Sequence, residues 1–386
     1  MKTETSHKMS KPISIAIIGC GFVADYYLIT LKKYPELKVA GVYDLDSARS
    51  ELFAKNYAVN VYESFQAVLD DSQVDIVVNL TNPDSHFEIN LTSLQAGKHV
   101  YSEKPLAMQL EEAEKLVELA EEKELQLSSA PCSLLGETAQ TVWKALRSEA
   151  VGKVYAVYAE MDDGLIHKMP YKSWMSQSGI PWPYKDEFEV GCTLEHAGYY
   201  LSWFPAFFGR AESVTGFSST LIEDKNTDVP LDHNAPDFSV ACIKFASGVV
   251  VRLTCSIVGT HDHSMRMFGD RGILSTPDSW YYNAPVHIRR MFNIRRKMIV
   301  SPIKQKYPLV GSKTKFSYGG AFQMDFARGI AEVADAIREN RNCRLSARYS
   351  LHVNELVLAI HYATENSATY QVKSTFEPVE PMAWAK

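Results

Sequence analysis

Six residues near the start of the chain, Gly19-Cys20-Gly21-Phe22-Val23-Ala24, have the spacing of a turn that binds phosphate. Gly19 permits a tight turn and Gly21 lets the backbone approach a pyrophosphate. Ala24 keeps the following helix close to its strand, and the free N–H groups at the helix start face the phosphates. Asp44 follows about 20 residues later, where a carboxylate accepts hydrogen bonds from both hydroxyls of a ribose. An acid there repels a 2′-phosphate, and Arg49 lies too far along to clamp one, so the pattern predicts NAD in preference to NADP. His86, after an Asn-Pro turn, is placed either to contact cofactor or substrate or to stabilise the start of a helix.

Other residues with chemical potential carry weaker signals. His261-Asp262-His263 has two histidines two apart with no third ligand nearby, which reads as a polar loop, and no metal is expected. Trp174, Trp182 and Tyr184 lie in or beside a Pro-rich loop, where they would either stack a sugar ring or nucleobase or simply pack. Between His287 and Lys315 the chain concentrates Arg289, Arg290, Arg295, Arg296, Lys297, Lys304, Lys306, Lys313 and Lys315. That segment is expected as a solvated loop or subunit contact. Binding of an anionic substrate such as a nucleotide sugar, or contact with an anionic membrane, are the alternatives.

The elements that must position these residues follow from periodicity. Ile13 to Ile18 is an apolar run suited to a parallel strand buried on both faces, and a helical pattern runs on to Leu31. Lys38 to Tyr43, Val74 to Leu80 and Gly97 to Ser102 read as further strands, with an acidic amphipathic helix over Leu110 to Lys123. Ser85 and Glu88 have capping-box spacing, which predicts a helix start. Strand and helix alternating in this way predict an α/β fold opening with a doubly wound Rossmann domain over residues 11–130. From Val154 the pattern changes. Val154 to Met161, Phe238 to Phe245 and Val249 to Ile257 read as strands, the last two joined at Ala246-Ser247-Gly248 by a hairpin turn. Helical periodicity returns at Phe322, Phe326, Ile330, Val333 and Ile337, and from Leu351 to Ala363. Residues 131–386 are therefore expected as an α/β domain with a largely antiparallel sheet for substrate binding and oligomerisation, its last helices free to pack back on the first domain.

Composition bounds the function class. The 386 residues carry a formal net charge of −6, which gives no general attraction to nucleic acid or an anionic membrane. The longest apolar runs, such as Ile13 to Cys20, are far short of a membrane span. Met1 to Lys11 is polar and is expected as a frayed tail without the apolar centre of a secretory signal. Six cysteines without a CxxC pair fit free thiols in a reducing compartment, so a cytoplasmic protein is expected.

Over nearly its whole length, from Ile13 to about Thr364, the sequence resembles the Gfo/Idh/MocA oxidoreductases, the family of glucose–fructose oxidoreductase and inositol dehydrogenases. The likeness rests on the glycine turn, on Thr81-Asn82-Pro83-Asp84-Ser85-His86, on Glu103-Lys104-Pro105 and on Asp325-Phe326-Ala327-Arg328. It implies that Thr81, Asn82, His86, Glu103 and Lys104 line the cofactor with Gly19, Gly21, Phe22, Val23, Ala24 and Asp44. It also implies that Lys104 works at the nicotinamide and that the Lys104–Pro105 bond is often cis. Hydride transfer at a secondary carbinol of a sugar, cyclitol or nucleotide sugar, by a homodimer or homotetramer, is the implied activity. The family's second motif, Gly-x-x-x-Asp-x-x-x-His, is altered: Gly191 is followed by Glu195 and Tyr199. Residues four apart share a helix face, so both can enter one cleft. A free tyrosine has a pKa of about 10, and Lys104 beside Tyr199 is expected to lower it and make the pair an acid–base unit. His196 is the rival proton carrier, and a half-buried Tyr199 bonded to backbone is the bland alternative. Transient NAD use in glycosidic elimination, or a non-catalytic NAD-binding regulator, are the other functional readings.

Overall fold

The computed structural model describes residues 12–311, 324–365 and 368–386. The polar start, Lys313, Lys315 and Phe322 lie outside the described residues. Strand β1 (Ile13–Ile18) is buried along its whole length, as a strand covered on both faces must be. It sits between β2 (Leu37–Tyr43) and β3 (Ile76–Asn79), with β4 (His99–Ser102) and β5 (Leu127–Ser129) beyond, in the order β2-β1-β3-β4-β5 and all parallel. Outside β2, Val61 pairs in parallel with Val42, the trace of a further strand. The order reverses between β1 and β3, so the loops after these two strands meet where an open α/β sheet binds its ligands. They meet closely: a Cβ on Gly19, whose φ is +95°, would lie 2.7 Å from the Leu80 carbonyl.

Helices Ala24–Leu31, Ser47–Tyr57, His86–Gln95 and Leu110–Glu122 connect these strands. The expected capping box does not form. A 3₁₀ turn, Pro83–Ser85, precedes the helix at His86, and the Ser85 hydroxyl donates to Asn82 Oδ1 at 2.7 Å. The hydroxyl turns back to the 3₁₀ turn and accepts from none of the helix N–H groups.

The second sheet is built from β6 (Val154–Asp162), β7 (Ala211–Ser219), β8 (Phe238–Phe245), β9 (Val250–Ser256), β10 (Met265–Gly269), β11 (Gly272–Thr276), β12 (Val286–Ile294), β13 (Lys297–Val300), β14 (Gln305–Tyr307) and β15 (Tyr370–Gln371). Its order is β13-β12-β11-β10-β6-β9-β8-β7-β15, with β14 also on β12, and only the β6–β9 pair is parallel. The β8–β9 hairpin turns at Gly248, whose φ is +84°. The basic stretch, expected as a loop, is instead the β12–β13 hairpin with Arg295-Arg296 at its tip, and no glycine or asparagine marks that turn. Arg295 takes the left-handed φ of +56° itself.

Helices Arg328–Glu339 and Ala347–His361 return to the first domain. Asn354 accepts from Leu106 N at 3.0 Å and donates to the Ala107 carbonyl at 3.1 Å, while Ser350 Oγ accepts from Ser129 N at 3.0 Å. Tyr34 donates to Asp325 at 2.6 Å. The Asn354 bonds tie the segment after β4, which carries Lys104, to the last long helix.

Candidate active site

The glycine turn is held open by Asp44. One carboxylate oxygen accepts from Cys20 N at 2.7 Å and the other from Asp46 N at 2.8 Å. Asp44 remains half-exposed, with lone pairs free for a ribose. A Cβ on Gly21 would meet nothing within 4 Å, so the cradle beside the start of the Ala24–Leu31 helix is open space of the kind a pyrophosphate needs. Phe22 and Val23 are half-buried at its rim and Ala24 is buried beneath it. These residues fit a dinucleotide.

Across the crevice, the Asn79 side chain holds Thr81 through its hydroxyl at 2.7 Å, and Asn82 is exposed. Glu103 and His86 are braces. Glu103 Oε1 accepts from the Tyr27 hydroxyl at 2.6 Å and Oε2 from Lys104 N at 3.0 Å, which fixes the backbone of Lys104. The ring nitrogens of His86 lie 2.6 Å from the Pro105 carbonyl and 3.0 Å from that of Thr81. Its side chain is fully buried between the two loops, with neither nitrogen left over for cofactor or substrate. The Lys104–Pro105 bond is cis.

Lys104 meets Glu195. The two form an ion pair with only 19% and 12% of their side chains exposed. Burial by itself would push the lysine pKa down; the Glu195 carboxylate, helped by Tyr199 and Glu103, reverses this and holds it above the ordinary lysine range. Thr193–Ala197 is a π-helical turn, a geometry common at functional sites, and a short α-helix, Gly198–Leu201, follows. Tyr199 packs against Trp280, ring centroids 5.3 Å apart, and its hydroxyl has no hydrogen-bond partner among the described residues. The expected fall in its pKa does not occur. Burial pushes the phenol up; Lys104 pulls it down but is outweighed, with Glu103, Glu195 and Asp163 also pushing up.

His196 points elsewhere. Its Nε2 bonds Glu187 at 2.7 Å and its Nδ1 lies 2.8 Å from Asp163. Burial pushes its pKa down, but these two carboxylates outweigh that and hold it well above the ordinary histidine range. Asp163 also accepts from His263 Nε2 at 2.7 Å, and the His263 ring lies 4.6 Å from Trp280. Asp163, His261 and His263 bring three ligand-type atoms within 4.8 Å of one another, but the Asp163–His263 pair is already a direct hydrogen bond. Asp163 and Trp280 escape a sequence reading because their partners are distant along the chain, and Glu187 because it sits on a separate helix from His196.

The aromatic loop packs on itself. Trp174 and Trp182 lie 5.0 Å apart, and Tyr184 is 5.2 Å from Tyr171. In the basic hairpin Arg289 bonds the Ser301 carbonyl and Arg290 bonds Gln305, contacts internal to that edge of the sheet. Among the described residues no helix is long and apolar enough to cross a membrane.

This geometry accords with the sequence relationships. Residues 13–130 match the "Oxidoreductase family, NAD-binding Rossmann fold" and residues 139–275 match the "GFO/IDH/MocA C-terminal domain". The chain belongs to the Gfo/Idh/MocA oxidoreductase family, whose members include dehydrogenases and reductases of sugars and cyclitols. An uncharacterized oxidoreductase of Synechocystis is 25% identical over 274 residues, 69% of this chain and 71% of the relative. The dTDP-3,4-didehydro-2,6-dideoxy-alpha-D-glucose 3-reductase of Saccharopolyspora spinosa is 23% identical over 302 residues, 76% of this chain and 83% of that one. In fold, the chain is similar to a 3-ketoreductase from Actinomadura kijaniata in complex with NADP. That match has a TM-score of 0.68 at 22% identity, over 91% of this chain and 97% of the other.

His196→Asn should destabilise the protein by about 3–5 kcal/mol, because it leaves Asp163 and Glu187 buried without their cation. A histidine pKa raised by folding stabilises fully below about 6.5 and progressively less as pH rises toward the folded value. The gap between wild type and variant, read by urea denaturation, should therefore narrow above that pH.

Proposed function

We propose that the protein is an NAD-dependent oxidoreductase acting on a secondary carbinol, or its ketone, in a sugar-like substrate, with Lys104 and Tyr199 handling the oxygen and its proton. The observation that carries this reading is the Lys104–Glu195 ion pair just after β4, whose charges reach Tyr199. Gly19, Gly21, Phe22, Val23, Ala24 and Asp44 would hold the cofactor, with Thr81 and Asn82 on the facing loop. NAD, when bound, accepts or supplies the hydride.

The chain's own residues supply the rest. Lys104, kept as an ammonium by Glu195, donates a hydrogen bond to the substrate oxygen and favours negative charge there. Tyr199, a neutral phenol with a free hydroxyl, gives its proton to that oxygen as the carbonyl is reduced. In oxidation the same proton returns to Tyr199 from the carbinol. Both groups rest in their protonated forms, which suits the reducing direction. His196 is excluded from this role in our reading because each of its nitrogens faces a carboxylate. The relatives named as 3-reductase and 3-ketoreductase support a ketone on a sugar ring as the substrate class.

NAD is preferred over NADP in this reading because Asp44 would meet a 2′-phosphate. Asp44→Ser should weaken NAD binding and relax discrimination against NADP, measured as the ratio of dissociation constants. Equal affinities in the unmodified protein would contradict the assignment.

Lys104→Met should lower turnover by about 10²-fold or more, and Tyr199→Phe should lower turnover while sparing NAD affinity. If the two act as one unit, the double variant should be little worse than the poorer single one. A crippled His196→Asn of unchanged stability beside a nearly normal Tyr199→Phe would move the proton to His196.

A further inference from the structure

Between β6 and the helix Tyr184–Val190 the chain projects a narrow finger. Met175 bridges to Pro181, Trp182 N bonds the Trp174 carbonyl at 2.9 Å, and Ser176 N bonds the Ile180 carbonyl at 2.8 Å. Gly179 turns the tip at a φ of +83°. At its base the Trp174 and Trp182 rings pack together, and Tyr171 meets Phe188 edge-on at 5.4 Å. The finger is therefore a stiff lever rooted in the second domain.

Its tip lands on the first domain. Ser178 N donates to Asp25 Oδ2 at 3.0 Å and its hydroxyl to Asp25 Oδ1 at 2.6 Å. The Tyr57 hydroxyl donates to the same carboxylate, which is fully buried under the three donors. Asp25 directly follows Ala24 of the glycine turn and lies in the first turn of the helix whose N-terminus faces the pyrophosphate cradle. One side chain thus joins the two walls of the cleft at its phosphate end.

We propose that the finger 174–182 is a latch on the cofactor cleft, and that dissociation of the dinucleotide is governed by release of Ser178 from Asp25. Asp25 and Ser178 are positioning residues in this account, and neither enters the chemistry. A buried carboxylate with three hydrogen bonds is stable while closed. Once Ser178 leaves, water replaces two of its donors and the domains are free to part. Gating of this kind sets release rates in many enzymes that sequester their ligands. The finger runs on into the helix that carries Glu187, the partner of His196, so the latch is mechanically continuous with the helix bearing Glu195 and Tyr199.

The inference rests on dinucleotide binding and is independent of the substrate. Its test is stopped-flow displacement of NADH from the intact protein, followed by fluorescence, with Ser178→Ala and Asp25→Asn and their combination. Hydrogen bonds to a charged group are the stronger kind, so Ser178→Ala should speed NADH dissociation about tenfold or more and quicken association as well. Adding it to Asp25→Asn should change little, because both weaken the same contact. A third variant, Gln177→Ala, alters the exposed neighbour at the tip and should leave both rates unchanged. NADH that binds normally but leaves Ser178→Ala at the wild-type rate would overturn the latch and spare the cofactor reading. Failure of NADH and NADPH to bind the unmodified protein would overturn both.

Discussion

An ammonium group drawn largely out of water needs a carboxylate within reach, and the pairing of Lys104 with Glu195 is the contact on which the cleft depends. It joins the end of a Rossmann strand to the helix that opens the second domain's side of the site. Every neighbouring feature serves it. Glu103 fixes the lysine backbone, His86 clasps the loop from Thr81 to Pro105, and Asn354 secures the chain just beyond. Break the pair and a charge is stranded in a partly desolvated cleft.

A second charge cluster, adjacent but separate, keeps that helix in place. His196 sits between Glu187 and Asp163, and Asp163 reaches on to His263. Neighbours on one helix therefore face different tasks: Glu195 meets the lysine, His196 meets the protein interior, and Tyr199 lies against Trp280. The imidazole present one turn earlier is committed to structure.

Much of the fold was legible because buried parallel strands write themselves as apolar runs. Ile13 to Ile18 and the strand ending at Asn79 announce the sheet, and Gly19, with no room for a Cβ, announces its crossing. The Ala246-Ser247-Gly248 turn announces the hairpin in the second domain. Contacts between distant residues were not legible. Asp163 and Glu187 both reach His196, His263 reaches Asp163 from a hundred residues away, and Ser178 finds Asp25 across 153 positions. The Arg295-Arg296 hairpin was hidden because its left-handed residue is an arginine, and charge density reads as solvated loop. Ser85 departs from its spacing for a local reason: its hydroxyl turns back to donate to Asn82 Oδ1 and accepts nothing from the helix N–H groups. The sign of the Tyr199 shift depended on how burial and four charges balance, which sequence spacing does not reveal.

The central claim is that Glu195 keeps Lys104 charged in the cleft so that it can hold a substrate oxygen. Lysine-selective NMR titration of the resting protein tests it most directly. The account predicts that Lys104 stays protonated beyond the ordinary lysine value of about 10.4, and that Glu195→Gln, which removes the main opposition to burial, lowers its pKa. A Lys104 that titrates below the ordinary value in the unmodified protein, or one indifferent to Glu195→Gln, would contradict it.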